Sequence, residues 1–187
     1  AAAVVAELAR VTGLPLVPSA DRFDALANLD GHLGVASAAS RVALVMGKIA
    51  QDLRLWSSGP VGGIGELRLP AVQVGSSIMP GKVNPVIPEA VIQVAFDVRA
   101  ATHAVELAVA AGELELNVFE PVVARHLLGA LAELGEVADV FASRCVDQME
   151  WDAGRVAENL RGSLSHLVEL AGSDGYERAT QAARDQP

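Results

Sequence analysis

The sequence predicts an all-α protein built as a bundle of long helices. Half of the 187 residues are hydrophobic (51%), yet only 4% are aromatic. The apolar mass is therefore Ala, Val and Leu, which suits packed helices better than a sandwich or barrel. Apolar residues also recur in steps of three and four over runs of roughly 25 residues, each about 38 Å of helix. Small residues such as Ala36, Ala38, Ala39, Ala43 and Gly47 would let such helices approach closely.

Taken in order, a first helix covers about Ala2–Val11 and stops at Gly13, with Pro15 beyond it as a breaker. A short helix follows near Asp21–Leu29. The second long one runs from about Gly34 to Ser57, with Val35, Ala38, Val42, Val45, Ile49, Leu53 and Trp56 as its apolar stripe. Residues 59–85 are turn chemistry, rich in Gly, Pro and Ser. Helicity resumes at Val86, with Pro88 tolerated in the first turn. Val91, Val94, Ala95, Val98 and Val105 then carry a stripe to about Ala111, and Gly112 ends it. Pro121 opens the next helix, through Leu127, Leu128, Leu131, Leu134, Val137, Phe141 and Met149. Asp152 can cap a shorter helix to about Leu170, and Gly172–Gly175 leads into a last amphipathic turn or two. Apolar stripes occur on more than one face, so part of this surface is expected to pack against other subunits or further segments.

Composition excludes several classes. A net charge of −9 argues against general nucleic-acid binding, and it means an anionic substrate needs a local cationic pocket. No apolar run approaches the roughly 20 residues of a membrane span, because charges such as Arg41, Lys48, Asp52 and Arg54 interrupt every candidate. The Ala-rich start lacks the basic region of a signal peptide, and a cytoplasmic protein is expected. Cys145, the single cysteine, falls at helical spacing among Val137, Ala138, Phe141 and Met149, which reads as a buried, inert thiol. No metal site and no cofactor are expected. His32, His103, His126 and His166 read as helix-surface or packed residues.

A long irregular segment inside a helical protein is uncommon and often functional. Gly75-Ser76-Ser77-Ile78-Met79-Pro80-Gly81-Lys82-Val83-Asn84-Pro85 concentrates hydroxyl, ammonium and amide donors for carboxylate oxygens. Its glycines allow close backbone approach, and its prolines limit it to few shapes, as a closing lid requires. As physics alone this is an anion-binding lid, with a serine available as nucleophile or base.

The string Gly-Ser-Ser-x-Met-Pro-x-Lys-x-Asn-Pro resembles the signature of the aspartase/fumarase superfamily at every fixed position. The resemblance extends over nearly the whole chain, through Asp52-Leu53-Arg54-Leu55, Ser57-Ser58-Gly59-Pro60, Gly65-Glu66-Leu67-Arg68-Leu69-Pro70 and Glu115-Leu116-Asn117-Val118-Phe119-Glu120-Pro121. It implies that residues 1–170 are part of the central helical-bundle domain, with the catalytic loop at 75–85. Residues 171–187 would begin a small C-terminal helical domain. By the same resemblance Ser76 is the base that removes a proton beside a carboxylate, and Ser77, Lys82 and Asn84 bind substrate carboxylate. Glu89 matches the acid that orients a histidine elsewhere in the family's site. The departures are Gln51 for the usual Asn, and Ala100-Ala101-Thr102 for the usual Gly-Asn-Asp. The family's upstream carboxylate-binding segments and its histidine have no counterpart in these 187 residues.

Asn84-Pro85-Val86-Ile87-Pro88-Glu89-Ala90-Val91 and Ala111-Gly112-Glu113-Leu114-Glu115-Leu116-Asn117 resemble aspartases more than fumarases. The implied activity is reversible elimination of ammonia from L-aspartate to fumarate by a homotetramer acting on a small dicarboxylate. The alternatives are hydration of fumarate to malate and action on another substituted succinate. A reading of a different class is an inactive helical oligomerisation fragment, since the chain would hold only part of an active site.

Overall fold

The computed structural model describes residues 1–73, 75, 78, 79 and 81–185. The fold is all-α: α1 (Ala2–Thr12), α2 (Arg22–Ala27), α3 (Asp30–Trp56), α4 (Val86–Ala110), α5 (Glu120–Arg144), α6 (Ala153–Arg161), α7 (Ser165–Asp174) and α8 (Tyr176–Arg184). Two strands of two residues, β1 (Leu67–Arg68) and β2 (Glu150–Trp151), pair antiparallel, with Leu67 opposite Trp151. The chain folds as two compact units. One comprises residues 1–46 and 93–136, the other 47–92 and 137–187.

In the first unit, α1 ends where predicted. Gly13 takes the left-handed conformation (φ 69°), and its N–H returns to the Ala9 carbonyl. Asp21 caps α2 by accepting from the N–H groups of Phe23 and Asp24. The core joins Leu29, Ala36, Val105, Ala108, Val123 and Leu127, flanked by Leu33 and Val109. Buried Asn117 stitches this core together. Its amide donates to the carbonyls of Ala108 (3.0 Å) and Val109 (3.3 Å) at the end of α4, and its side-chain oxygen accepts from the Phe119 N–H (2.9 Å). Its own N–H reaches the Leu26 carbonyl (2.9 Å). Thr102, one of the residues departing from the family pattern, places its hydroxyl 3.1 Å from the Ala36 carbonyl and 2.9 Å from that of Val98.

In the second unit, Ala50 and Leu53 of α3, Pro88 and Val91 of α4, and Val137, Phe141 and Cys145 at and beyond the end of α5 are buried. Trp56 and Trp151 meet edge to face, with ring centroids 5.4 Å apart. Leu167 of α7 and Ala179 of α8 are buried as well. Burial also pushes the Cys145 thiol pKa up, as expected of an inert buried thiol.

Several sequence expectations are corrected. Helix α3 starts at Asp30, four residues before Gly34. Of the expected stripe Leu53 is buried, but the rest of the buried seam is Ala36, Ala39, Ala43 and Ala50, while Val35, Val42, Val45 and Ile49 are each about half exposed. Close helix packing selects the small side chains, even though the valines are more apolar. On α5 the buried set is Val123, Leu127, Ala130, Leu134, Val137 and Phe141, and Leu128 and Leu131 are exposed. Helix α5 ends at Arg144, before Met149, because a 3₁₀ turn (Val146–Gln148) leads directly into β2. The helix expected from Asp152 to Leu170 breaks after Arg161, where the Ser163 hydroxyl donates to the Leu160 carbonyl (2.7 Å). Finally, α3 is long and apolar enough to cross a membrane by length and composition alone. Between Asp30 and Gln51 its only Lys or Arg residues are Arg41 and Lys48. Its buried alanine seam is that of a packed helix.

The buried positions keep a seven-residue repeat along each long helix. On α3 it runs Ala36, Ala43, Ala50, on α4 Val91, Val98, Val105, and on α5 Val123, Ala130, Val137. A sustained spacing of seven is the pattern of left-handed, knobs-into-holes helix packing.

Candidate active site

The second unit contains a cleft of about 730 Å³. The end of α3 supplies Gln51 and Arg54, the Gly-rich turn after it supplies Ser58, and β1 supplies Arg68. The segment entering α4 supplies Lys82 and Asn84, the first turn of α4 supplies Glu89, and the start of α6 supplies Asp152.

The approach to α4 follows from its residues. At Gly75 the backbone passes so close to the Lys82 carbonyl that any Cβ would collide with it, so only glycine fits. The Asn84 carbonyl accepts from the Val86 N–H (2.9 Å), and the Pro85 carbonyl accepts from the Glu89 N–H (3.0 Å), closing the first turn. Pro88 lies within that turn, where its missing N–H would have had no helical partner. The positive end of the helix favours the Glu89 carboxylate and any anion held by Lys82 and Asn84.

Helix α6 clamps the segment 63–68. Asp152 caps this helix by accepting from the Arg155 N–H (3.0 Å), and its second oxygen accepts from Arg68 Nη2 (2.6 Å). These two contacts, the cap first, hold the Asp152 carboxyl pKa below its ordinary value. The Asp152 N–H donates to the Glu66 carbonyl (2.8 Å). Arg155 donates to the carbonyls of Ile64 (3.1 Å) and Gly63 (3.3 Å), and the Asn159 amide donates to the Ile64 carbonyl (3.0 Å) and to Glu66 Oε1 (2.9 Å). Two carbonyls of the turn at 58–65, those of Gly63 and Ile64, are thus held by side chains of α6.

Of the residues picked from sequence, Lys82, Asn84 and Glu89 line the same cleft. Ser76 and Ser77 lie outside the described residues, as do Val74 and Pro80 of the same segment. Sequence reading assigned no role to Arg54, although it stands in the Asp52–Leu55 stretch that carries the resemblance. Its Nη2 is 3.5 Å from Glu89 Oε1, and its Nη1 donates to Gln51 Oε1 (3.3 Å). Gln51 and Arg54 are three apart on one helix, a spacing that sets both on one face and could have flagged them together. Among the lining residues, Arg54, Arg68 and Lys82 outnumber Glu89 and Asp152 by one positive charge, within a chain of net −9. The cleft lining thus has a local charge balance opposite in sign to that of the whole chain. No group of three or more His, Cys, Asp or Glu that could hold a metal comes together among the described residues.

The fold is all-α, and the Gly75–Pro85 segment leads into the long helix α4. The lyase family profile matches residues 1–100, more than half of the chain, and the protein belongs to this family, within the aspartase/fumarase superfamily. It is 42% identical to an aspartate ammonia-lyase of Pseudomonas fluorescens over 98% of this chain and 38% of that protein. A class II fumarate hydratase of Pseudomonas putida is 40% identical over 98% of this chain and 40% of its own length. The crystal structure of a fumarate lyase:delta crystallin from Brucella melitensis superposes with a TM-score of 0.90 at 40% identity, covering 96% of this chain and 42% of that one. The chain thus spans about two fifths of the length of the relatives it matches.

Proposed function

We propose that this chain forms part of an enzyme that eliminates ammonia from L-aspartate to give fumarate, with Ser76 as base. The observation that carries this reading is the convergence of Lys82, Asn84 and Glu89 on one cleft of locally positive balance. In the proposed step, the Ser76 oxyanion takes the proton from the carbon beside one carboxylate. The carbon–hydrogen pair moves into that carboxylate, giving an enediolate-like dianion. Collapse of the dianion forms the carbon–carbon double bond and expels the protonated amino group, –NH3+, with the C–N bonding pair as ammonia. Lys82 and Asn84 supply fixed donors to the carboxylate, and donors already in place lower the barrier as charge develops. A serine serves as a base only where its oxyanion is stabilised, and Lys82 on the same segment is suited to that. The residues following Asn84-Pro85 favour aspartate.

Hydration of fumarate to malate is the second reading, favoured by the class II fumarate hydratase relatives at a comparable 40% identity. The two are separated by following fumarate absorbance with L-aspartate and with L-malate, using the polypeptide as its gene encodes it. Turnover of aspartate alone supports the first reading, and turnover of malate alone replaces it with the second. The 187-residue chain by itself is expected to show no appreciable turnover, in keeping with the share of its relatives that it spans.

A further inference from the structure

We propose that Arg54 is a positioning residue of this active site, acting through Glu89. The inference rests on the lyase reading above and goes beyond it by adding a residue with no role in that reading. Both terminal nitrogens of Arg54 face groups of this same chain: Nη1 donates to Gln51 Oε1 at 3.3 Å, and Nη2 stands 3.5 Å from Glu89 Oε1. Its Nε is buried and has no acceptor among the described residues. The guanidinium is therefore turned to the protein more than to the cleft. Its fork links the last turns of α3 to the first turn of α4, and fixing one carboxylate oxygen fixes the direction of the other.

Folding stability does not account for the pair. The Arg54 and Glu89 side chains are 37% and 40% exposed, and ion pairs this open to solvent contribute little. The pair matters more for the direction of the Glu89 carboxylate, one oxygen of which faces Arg54 Nη2. A lysine could supply the charge, but not the planar fork that spans Gln51 and Glu89 together.

The experiment is a double-mutant cycle in the polypeptide as its gene encodes it, with Arg54→Met, Glu89→Gln and the double variant, and with Arg54→Lys alongside. Steady-state kinetics on L-aspartate and L-malate are read together with thermal melts. Each single variant is expected to lower kcat by about tenfold or more, with KM changed by less than about threefold and melting little altered. The double variant falls no further than the worse single, and Arg54→Lys recovers part of the loss. Multiplied losses in the double variant would overturn the inference, because the two residues would then act independently. So would a raised KM with unchanged kcat in Arg54→Met, which marks a direct substrate ligand, or full activity in that variant. If Arg54→Met does not fold, the cycle of Arg54→Lys with Glu89→Gln makes the same comparison. A wild-type enzyme that turns over neither substrate defeats both the aspartate and the malate readings and takes this inference with it; a fully active Arg54→Met beside an active wild type defeats the inference alone.

Discussion

Asp152 and Arg68, 84 residues apart in sequence, meet at 2.6 Å between Asp152 Oδ2 and Arg68 Nη2, on one wall of the cleft. The same carboxylate caps α6 through the Arg155 N–H. Both contacts favour its ionised form, so its pKa is lower in the folded protein than in the unfolded chain. The folded state then binds fewer protons than the unfolded state, and stability from this group is present above the unfolded carboxyl pKa. It is lost as pH falls through the folded pKa. Asp152→Ala should therefore melt below the wild type at pH 7, and the gap should close in acid. A gap that stayed constant from neutral pH to about pH 3, below the ordinary Asp value, would show that the charge of Asp152 has no part in holding α6.

Asn117 is a buried side chain with every polar atom engaged, joining the end of α4 to the segment before α5. Among the described residues, Asn117→Ala leaves the buried Ala108 carbonyl with only the Ala111 N–H at 3.4 Å and removes a donor from the part-buried Val109 carbonyl and an acceptor from the Phe119 N–H. A loss of about 2–3 kcal/mol is expected, since each buried group left unpaired costs roughly 1–3 kcal/mol. Denaturant titration should show a lower midpoint with an unchanged slope. Asn117→Asp should not rescue, because a carboxylate cannot donate to the Ala108 carbonyl.

The legible parts of the fold were those where one residue type answered to one physical demand. Gly13 ended α1 because a left-handed residue was needed there, and Val91, Val98 and Val105 marked the buried edge of α4 because nothing on its other faces was as consistently apolar. The inward face of α3 was misread because valine outranks alanine in hydrophobicity, whereas helix approach distance decides burial. The pairing of Leu67 with Trp151 left no trace in the sequence, since two-residue strands carry no periodicity. At the site, the loop string pointed to Lys82 and Asn84, and the family resemblance added Glu89. Arg54 went unassigned because its pairing with Glu89 exists only once α3 and α4 are folded.

The alanine seam of α3 gives a direct contrast. Ala43 is 0% exposed, while its neighbour Val42 is 50% exposed. Ala43→Leu must force side chains off their rotamers or push a helix aside, at a cost of about 1–3 kcal/mol or more. Val42→Ala removes atoms already half in water and should change the stability of the isolated chain by about 0.5 kcal/mol or less. Equal effects of the two substitutions would mean that α3 is rotated from the orientation described.

Ser76 and Lys82 should separate catalysis from binding. Under the proposed mechanism Ser76 accepts the carbon-bound proton, so Ser76→Ala removes the acceptor and leaves Lys82 and Asn84 to bind carboxylate. In the gene-encoded polypeptide kcat should collapse while the affinity for substrate is largely kept. Lys82→Ala deletes a charge-assisted contact to the dianion and should weaken binding as well as turnover. The loss of positive charge also turns the balance of the cleft lining from one net positive charge to none. The rise in KM should therefore be steepest at low ionic strength, where the field of a chain of net charge −9 is least screened. Fumarate absorbance at a series of salt concentrations reads both effects. Near-normal turnover by Ser76→Ala would remove the base assignment. A Lys82→Ala enzyme with unchanged KM at every ionic strength would remove Lys82 from the carboxylate site.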